Sequence, residues 1–116
     1  MGKIYKLKKY DETYKIQIRK SEYTNNGTLA LIMLYYDIED KEWWIWSDLT
    51  VNIEASDFMA SSTKAFIDTN DNGQEIISWL EKNGLGHATG QTARNNYCEY
   101  PLFEFKQEVL DEIEEY

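Results

Sequence analysis

Residues 68–73 read D-T-N-D-N-G, the opening half of an EF-hand calcium loop. Such a loop ligates through positions 1, 3 and 5, turns at a glycine in position 6, and closes with a bidentate glutamate at position 12. Asp68, Asn70, Asn72 and Gly73 meet the first half, but position 12 is Trp79, which has no oxygen to offer. No helical pattern precedes Asp68, so the helix–loop–helix frame is missing too. The same residues suit a helix start. Asn72 as N-cap would accept from the orphan amide three residues on while Glu75 reaches back, and Asp71 with Gln74 works similarly. The stretch is predicted to begin a helix, and specific calcium binding is not expected.

Other candidate chemistry is sparse. His87 and Cys98 are the only histidine and cysteine, and no third group at recognisable spacing would orient them as a nucleophile and base. Gly84-Leu85-Gly86-His87 lacks the G-K-[ST] of a phosphate loop. Zinc fails on ligand count. Paired carboxylates are expected by chance among 21 acids. The chain is therefore read as a non-enzyme that needs no metal and no cofactor.

What remains are residues suited to contact. Trp44 and Trp46 share the nominally polar face of a strand, where aromatic side chains would form either a binding surface or a patch covered by a helix or hairpin. Glu108, Asp111, Glu112 and Glu115 crowd the last apolar stripe with carboxylates. These six are the candidate partner-binding residues.

The elements that must position them follow from hydrophobic period and turn chemistry. Ile4 to Tyr10 reads as a strand, Asp11-Glu12 as a turn, and Tyr14, Ile16 and Ile18 as the inward face of a second strand. Asn25-Asn26-Gly27 is a turn signal. Thr28 to Tyr36, apolar on both faces, reads as a central strand, and Asp37 to Glu42 as a charged turn. A long fourth strand is expected from Trp43 to Ile53, with Trp43, Ile45, Leu49, Val51 and Ile53 on one face. A loop (55–63) and short extended pieces near 65–68 and 99–105 complete the sheet. Ile76, Trp79 and Leu80 give a helix over about 73–83, closed by Asn83-Gly84. Val109, Leu110 and Ile113 give another over about 106–115. The fold class is α+β, an antiparallel meander of four or more strands with two helices, in a single domain over 1–116.

The totals limit the task. At 116 residues, 42% hydrophobic and 15% aromatic, the chain can bury a core without staples. One cysteine excludes an internal disulfide framework and suggests a reducing cytoplasm. The N-terminal residues lack an uninterrupted apolar segment, and the longest apolar run, Leu29 to Tyr36, is too short for a membrane span. The net charge of −9 is uneven: residues 1–20 hold seven bases and two acids (+5), and the other 96 hold five bases and nineteen acids (−14). A body of that sign repels phosphates, so direct nucleic-acid binding is not expected, whereas a protein with a basic surface is the expected partner.

Several phrases resemble a small uncharacterised family carried on conjugative elements, plasmids and phages of Gram-positive bacteria. They are Y-T-N-N-G-T-L-A-L at 23–31, L-T-V-N-I at 49–53, F-I-D-T-N at 66–70, E-K-N-G-L at 81–85, T-G-Q-T at 89–92 and Y-C-E-Y-P-L-F-E-F at 97–105. The Trp43 to Trp46 cluster and the acidic last helix depart from that resemblance. It implies no activity, only an accessory protein of a mobile element. The expected function is non-catalytic binding of another protein, which includes acidic imitation of DNA against a host defence nuclease (anti-restriction or anti-CRISPR). The alternative is a small-ligand or peptide-binding module that uses the aromatic sheet face.

Overall fold

Alternating or continuous apolar residues make the first four strands, and turns of suitable chemistry fold them back. In a computed structural model, which describes residues 3–24 and 27–116, they are β1 (Tyr5–Lys9), β2 (Glu12–Glu22), β3 (Leu29–Asp37) and β4 (Glu42–Asp48). They pair antiparallel in the order β1-β2-β3-β4, the expected meander. The first turn is Tyr10-Asp11, one residue earlier than the sequence suggested. Both its residues have positive φ, 54° and 63°, which gives the twist a two-residue hairpin needs. Between β3 and β4, Asp37 Oδ1 accepts from the amides of Glu39 (2.9 Å) and Asp40 (3.1 Å) and ties the charged segment into a turn. The Asn25-Asn26-Gly27 turn falls on residues 25 and 26, outside the described residues. Around it, Tyr23 donates to Thr28 O (3.0 Å) and Gly27 donates to Tyr23 O (2.7 Å).

The long fourth strand is not one strand. Met33 faces Ser47 while Leu34 faces Ile45, so Trp46 is an extra residue, a bulge in β4. Leu49, fully buried, then changes sheets: its N–H donates to Leu31 O on β3 (2.9 Å), and its C=O accepts from Asp68 N–H (2.9 Å). Thr50–Val51 (β5) already belongs to a second sheet. Strands that turn such a corner by a bulge are how two sheets share one core. The bulge also inverts the expected faces. Trp44 pairs with Tyr35 and Tyr35 with Ile16, so Trp44 lies on the core-side face, while Trp43 packs against Tyr36 on the other. Leu49 and Ile53 are buried as expected.

The second sheet has the order β5-β6-β8-β7, with β6 at Lys64–Ile67, β7 at Gly86–Asn95 and β8 at Cys98–Phe105. A 3-10 segment, Glu54–Met59, bent at Ser56, occupies part of the expected loop. Its sheet is apolar on both faces. Ala65, Ile67, Phe103 and Phe105 pack toward Ile16, Leu31 and Met33 of the first sheet in the main core. Phe66, Tyr100, Leu102 and Ala93 form a smaller cluster on the opposite face with Ile53. Each fully buried Leu, Ile, Met or Phe among them contributes about 1.5–3 kcal/mol.

Three short helices complete the chain: α1 (Thr69–Asn72), α2 (Glu75–Lys82) and α3 (Gln107–Glu112). On α2, Ile76 and Leu80 enter the main core. Its end is closed as expected, with Gly84 at φ 74° and Leu85 donating to Leu80 O (3.1 Å). The last helix is shorter than expected because Ile113 turns extended and the chain runs along β2. Lys20 donates its N–H to Glu114 O and accepts from Tyr116 N–H, both at 3.0 Å. Paired with β1 only as far as Ile16, β2 would otherwise leave that edge bare, and the tail satisfies it.

Candidate functional site

The two candidate groups lie at opposite edges of the first sheet. Trp46, bulged out of register, is half-buried and packs on Tyr14 (ring centroids 4.8 Å apart) and Tyr35 (5.6 Å). The first hairpin therefore covers it. Trp44, two residues earlier on the edge strand, reaches past that cover and is 45% exposed. The next residue, Ile45, is 57% exposed on the opposite face of the strand, and Ile38 in the preceding turn is 79% exposed. Across the sheet, Trp43 packs on Tyr36 (5.3 Å), and Lys15 Nζ sits 5.9 Å from the Tyr36 ring. Sequence reasoning named Trp44 but missed Ile45, which it placed inside, because the bulge is not written in an all-apolar run. Acids flank this strand along the chain: Asp37, Glu39, Asp40, Glu42 and Asp48 stand against Lys41 alone over residues 37–48.

Glu108, Asp111, Glu112 and Glu115 are all exposed. Asp111 Oδ1 accepts from Gln107 Nε2 (2.9 Å) within α3. Glu112 lies close enough to Tyr5 to help raise its phenol, after the larger effect of burial. The strongly basic start of the chain sits against this tail. Arg19 Nη1 pairs with Glu114 Oε2 at 3.0 Å, and Lys20 Nζ donates to Leu110 O at 2.9 Å. A half-exposed ion pair contributes little stability, but the two cations reduce the local negative field.

The D-T-N-D-N-G stretch is a capped turn of helix, with a different cap from the one expected. Asp68 is the N-cap of α1, accepting from Asp71 N–H at 3.1 Å, and Gly73 follows the helix at φ 83°. Neither Asn72 nor Asp71 caps α2, whose N-cap Gln74 makes no side-chain bond. Asn72 is instead buried. Its Nδ2 donates to Asp48 O and Asp68 O, both at 2.9 Å, and its Oδ1 accepts from Ser47 Oγ at 2.5 Å. It fastens α1 to the place where the chain leaves the first sheet.

Asp68 also anchors a polar corner. Burial pushes its carboxyl above the ordinary aspartate range; the Asp71 amide opposes this, and the charges of Asp71 and Asp48 add to the rise. The Tyr23 hydroxyl, 2.8 Å from Thr50 Oγ1, is raised by burial first and then by Asp48 and Asp68. Tyr100 is raised by burial, by Cys98, and by Asp68 and Asp71. An acid whose folded pKa is raised supports folding below its unfolded pKa and loses that support as pH rises through the folded value. Asp68→Asn keeps the capping oxygen and removes the charge. The variant should be more stable than wild type at about pH 7, with the advantage gone by about pH 3, in urea denaturation at both pH values.

His87 and Cys98 form no dyad. His87 faces Glu104, and Cys98 lies six residues along β8 from Glu104, about 20 Å away at strand spacing. Among the described residues, no three His, Cys, Asp or Glu side chains are arranged to hold a metal ion. Nor is any helix long and apolar enough to cross a membrane. An open groove of about 500 Å³ lies between the end of β2, α3 and the tail, but its cation, Lys20, already serves the Leu110 carbonyl. The surface best equipped for recognition is the β4 edge.

No curated protein and no solved structure matches the chain. A family model does, over residues 16–116, which takes in the chain from within β2 to the tail and leaves out the basic first strand and the start of β2. The chain belongs to the family described as a domain of unknown function, DUF4313.

Proposed function

We propose that this chain is a non-catalytic accessory protein of a mobile element that works by binding another protein, through the acid-flanked aromatic edge at β4. The supporting observation is the exposure of Trp44 on one face of an edge strand and of Ile45 on the other, which leaves that edge with large apolar side chains on both faces, and exposed aromatic and aliphatic side chains of this kind are the usual anchors of contact surfaces. The mobile-element assignment rests on the sequence phrases alone. The narrower reading, acidic imitation of DNA by Glu108, Asp111, Glu112 and Glu115, draws on their exposure; Arg19 and Lys20 beside the tail count against it.

Affinity capture from a Gram-positive bacterial lysate separates these readings when run with two variants. Trp44→Asp should lose the captured protein while retaining the circular dichroism of wild type. A variant with Glu108, Asp111, Glu112 and Glu115 replaced by Gln or Asn should keep it, with association slowed less than about twofold at low salt. The reverse pattern would favour the DNA-imitation reading. Identical capture by wild type and both variants would overturn each.

A further inference from the structure

Among the described residues, each of the other strand edges carries at least one device against pairing, whereas Glu42–Ile45 of β4, ahead of its bulge, is left without cover. On β1, Lys6, Lys8 and Lys9 line the edge strand, and the Trp79 indole N–H donates to Lys6 O at 2.8 Å. The bare part of β2 is paired with the tail. In the second sheet, β5 has two residues, while β7 is interrupted by a bulge and has its Ala88 amide bonded to Glu81 Oε2 at 3.2 Å. Lysine, short strands, bulges and covering groups are the usual defences of an edge. On β4, Asn72 takes only Asp48 O at the far end, and the Trp46 bulge ends the regular ladder. Among the described residues, nothing pairs with the outer side of Glu42–Ile45, whose side chains are Glu, Trp, Trp and Ile.

We infer that the free edge of β4 takes up an extended segment of another protein as a fifth strand, and that this segment carries aromatic or aliphatic residues between flanking lysines or arginines. The inference rests on the protein-binding reading above and specifies its geometry and partner chemistry. Backbone pairing along an edge supplies the attachment, and side chains on alternate faces supply selectivity. On one face the incoming strand meets Trp44, and on the other Trp43 and Ile45. Charge selects the occupant. Glu42 and Asp48 bracket the strand, with Asp37, Glu39 and Asp40 in the adjoining turn, so basic residues at both ends of a segment of about seven residues are matched. A second copy is not. A two-fold β4 pair brings Asp37, Glu39, Asp40, Glu42 and Asp48 of one copy against the same acidic set of the other, and like charges brought together are unfavourable. A head-to-tail pair using β1 would meet a carbonyl already bonded to Trp79.

Three blocked peptides test this by NMR titration of the isotope-labelled full chain: KTYVYTK, its twin ETYVYTE, and KTYVYTK N-methylated at alternate residues. The basic peptide should shift the amides of residues 42–47 and slow their hydrogen exchange at least about threefold at saturation. The acidic twin should bind at least about tenfold more weakly, and added salt should narrow that difference. The N-methylated peptide should not protect β4, and Ile45→Lys should abolish the binding of KTYVYTK with the rest of the spectrum unchanged. Equal binding of the acidic twin, protection by the N-methylated peptide, or no shift at β4 would overturn the inference. So would concentration-dependent protection of β4 without peptide, since the occupant would then be a second copy. A lysate partner lost with Trp44→Asp that leaves β4 exchange unchanged would sink strand addition while the protein-binding reading stands.

Discussion

Gly86→Ala is expected to destabilise the protein by at least about 3 kcal/mol, a large share of the roughly 5–15 kcal/mol that holds a small domain folded. Gly86 opens β7 directly opposite Phe105, and a Cβ there would overlap the carbonyl oxygen of Glu104. It would also lie 2.9 Å from the Glu104 carbonyl carbon and the Phe105 Cα. These are backbone atoms of β8, the strand between β6 and β7, so no side-chain rotation relieves the overlap. The first pairs of the β7–β8 ladder must separate, beside Phe103 and Phe105 in the core. Gly90→Ala is the control. Its φ of 86° also favours glycine, but a Cβ there meets nothing within 4 Å, so a cost of about 1 kcal/mol is expected. Urea denaturation of the two variants decides the matter. Equal midpoints would mean that β7 yields freely at its start.

The close approach at Gly86 also shows where the sequence could be read and where it could not. In β2 and β3, residues such as Ile16, Ile18, Leu31 and Met33 recur at strand period and are buried, so the meander follows from pattern alone. The α2 stripe and its Asn83-Gly84 stop were equally plain. β7 was missed because G-H-A-T-G-Q-T-A-R-N is an edge strand with few apolar residues, and its partner strand carries the signal. The sheet change at Leu49 was hidden for the opposite reason. Trp43 to Trp46 is apolar throughout, so no alternation marks the bulge, and both faces read alike. A one-residue slip exchanges the faces of a strand, which is why Ile45 stands outside and Trp46 against Tyr14.

The candidate site inherits this difficulty. Trp44 was legible as a contact residue from its type and strand position, but its exposure depends on β4 being an edge, a property of topology. The acids of α3 were legible as a cluster; that Arg19 and Lys20 come to lie against the tail depends on residues 113–116 leaving the helix for the β2 edge. Charge asymmetry along the chain thus became proximity in the fold. The basic first strands and the acidic tail partly neutralise one another, whereas the acidic turn before β4 keeps its charge.

Asn72 provides the sharper test of how the two sheets are joined. As the cap that the sequence suggested, it would lose about 1 kcal/mol on replacement by alanine and almost nothing on replacement by aspartate, an equally good cap. In the structure its amide bridges Ser47 and Asp48 of the first sheet to Asp68 of the second unit of chain. Asn72→Ala takes their partner from the Asp48 carbonyl and the Ser47 hydroxyl at a buried position, while the Asp68 carbonyl keeps the Asn72 N–H, for an expected loss of about 3 kcal/mol. Asn72→Asp keeps the shape and removes the donor. A carboxylate oxygen would then face the carbonyls of Asp48 and Asp68, close to the Asp68 side chain whose charge is already disfavoured. Aspartate should therefore be at least as damaging as alanine at neutral pH. Its deficit should shrink on acidification, because a protonated carboxyl regains one donor. Paired denaturation curves at about pH 7 and about pH 4 separate the two accounts. An aspartate variant as stable as wild type at neutral pH would restore the cap and remove the bridge.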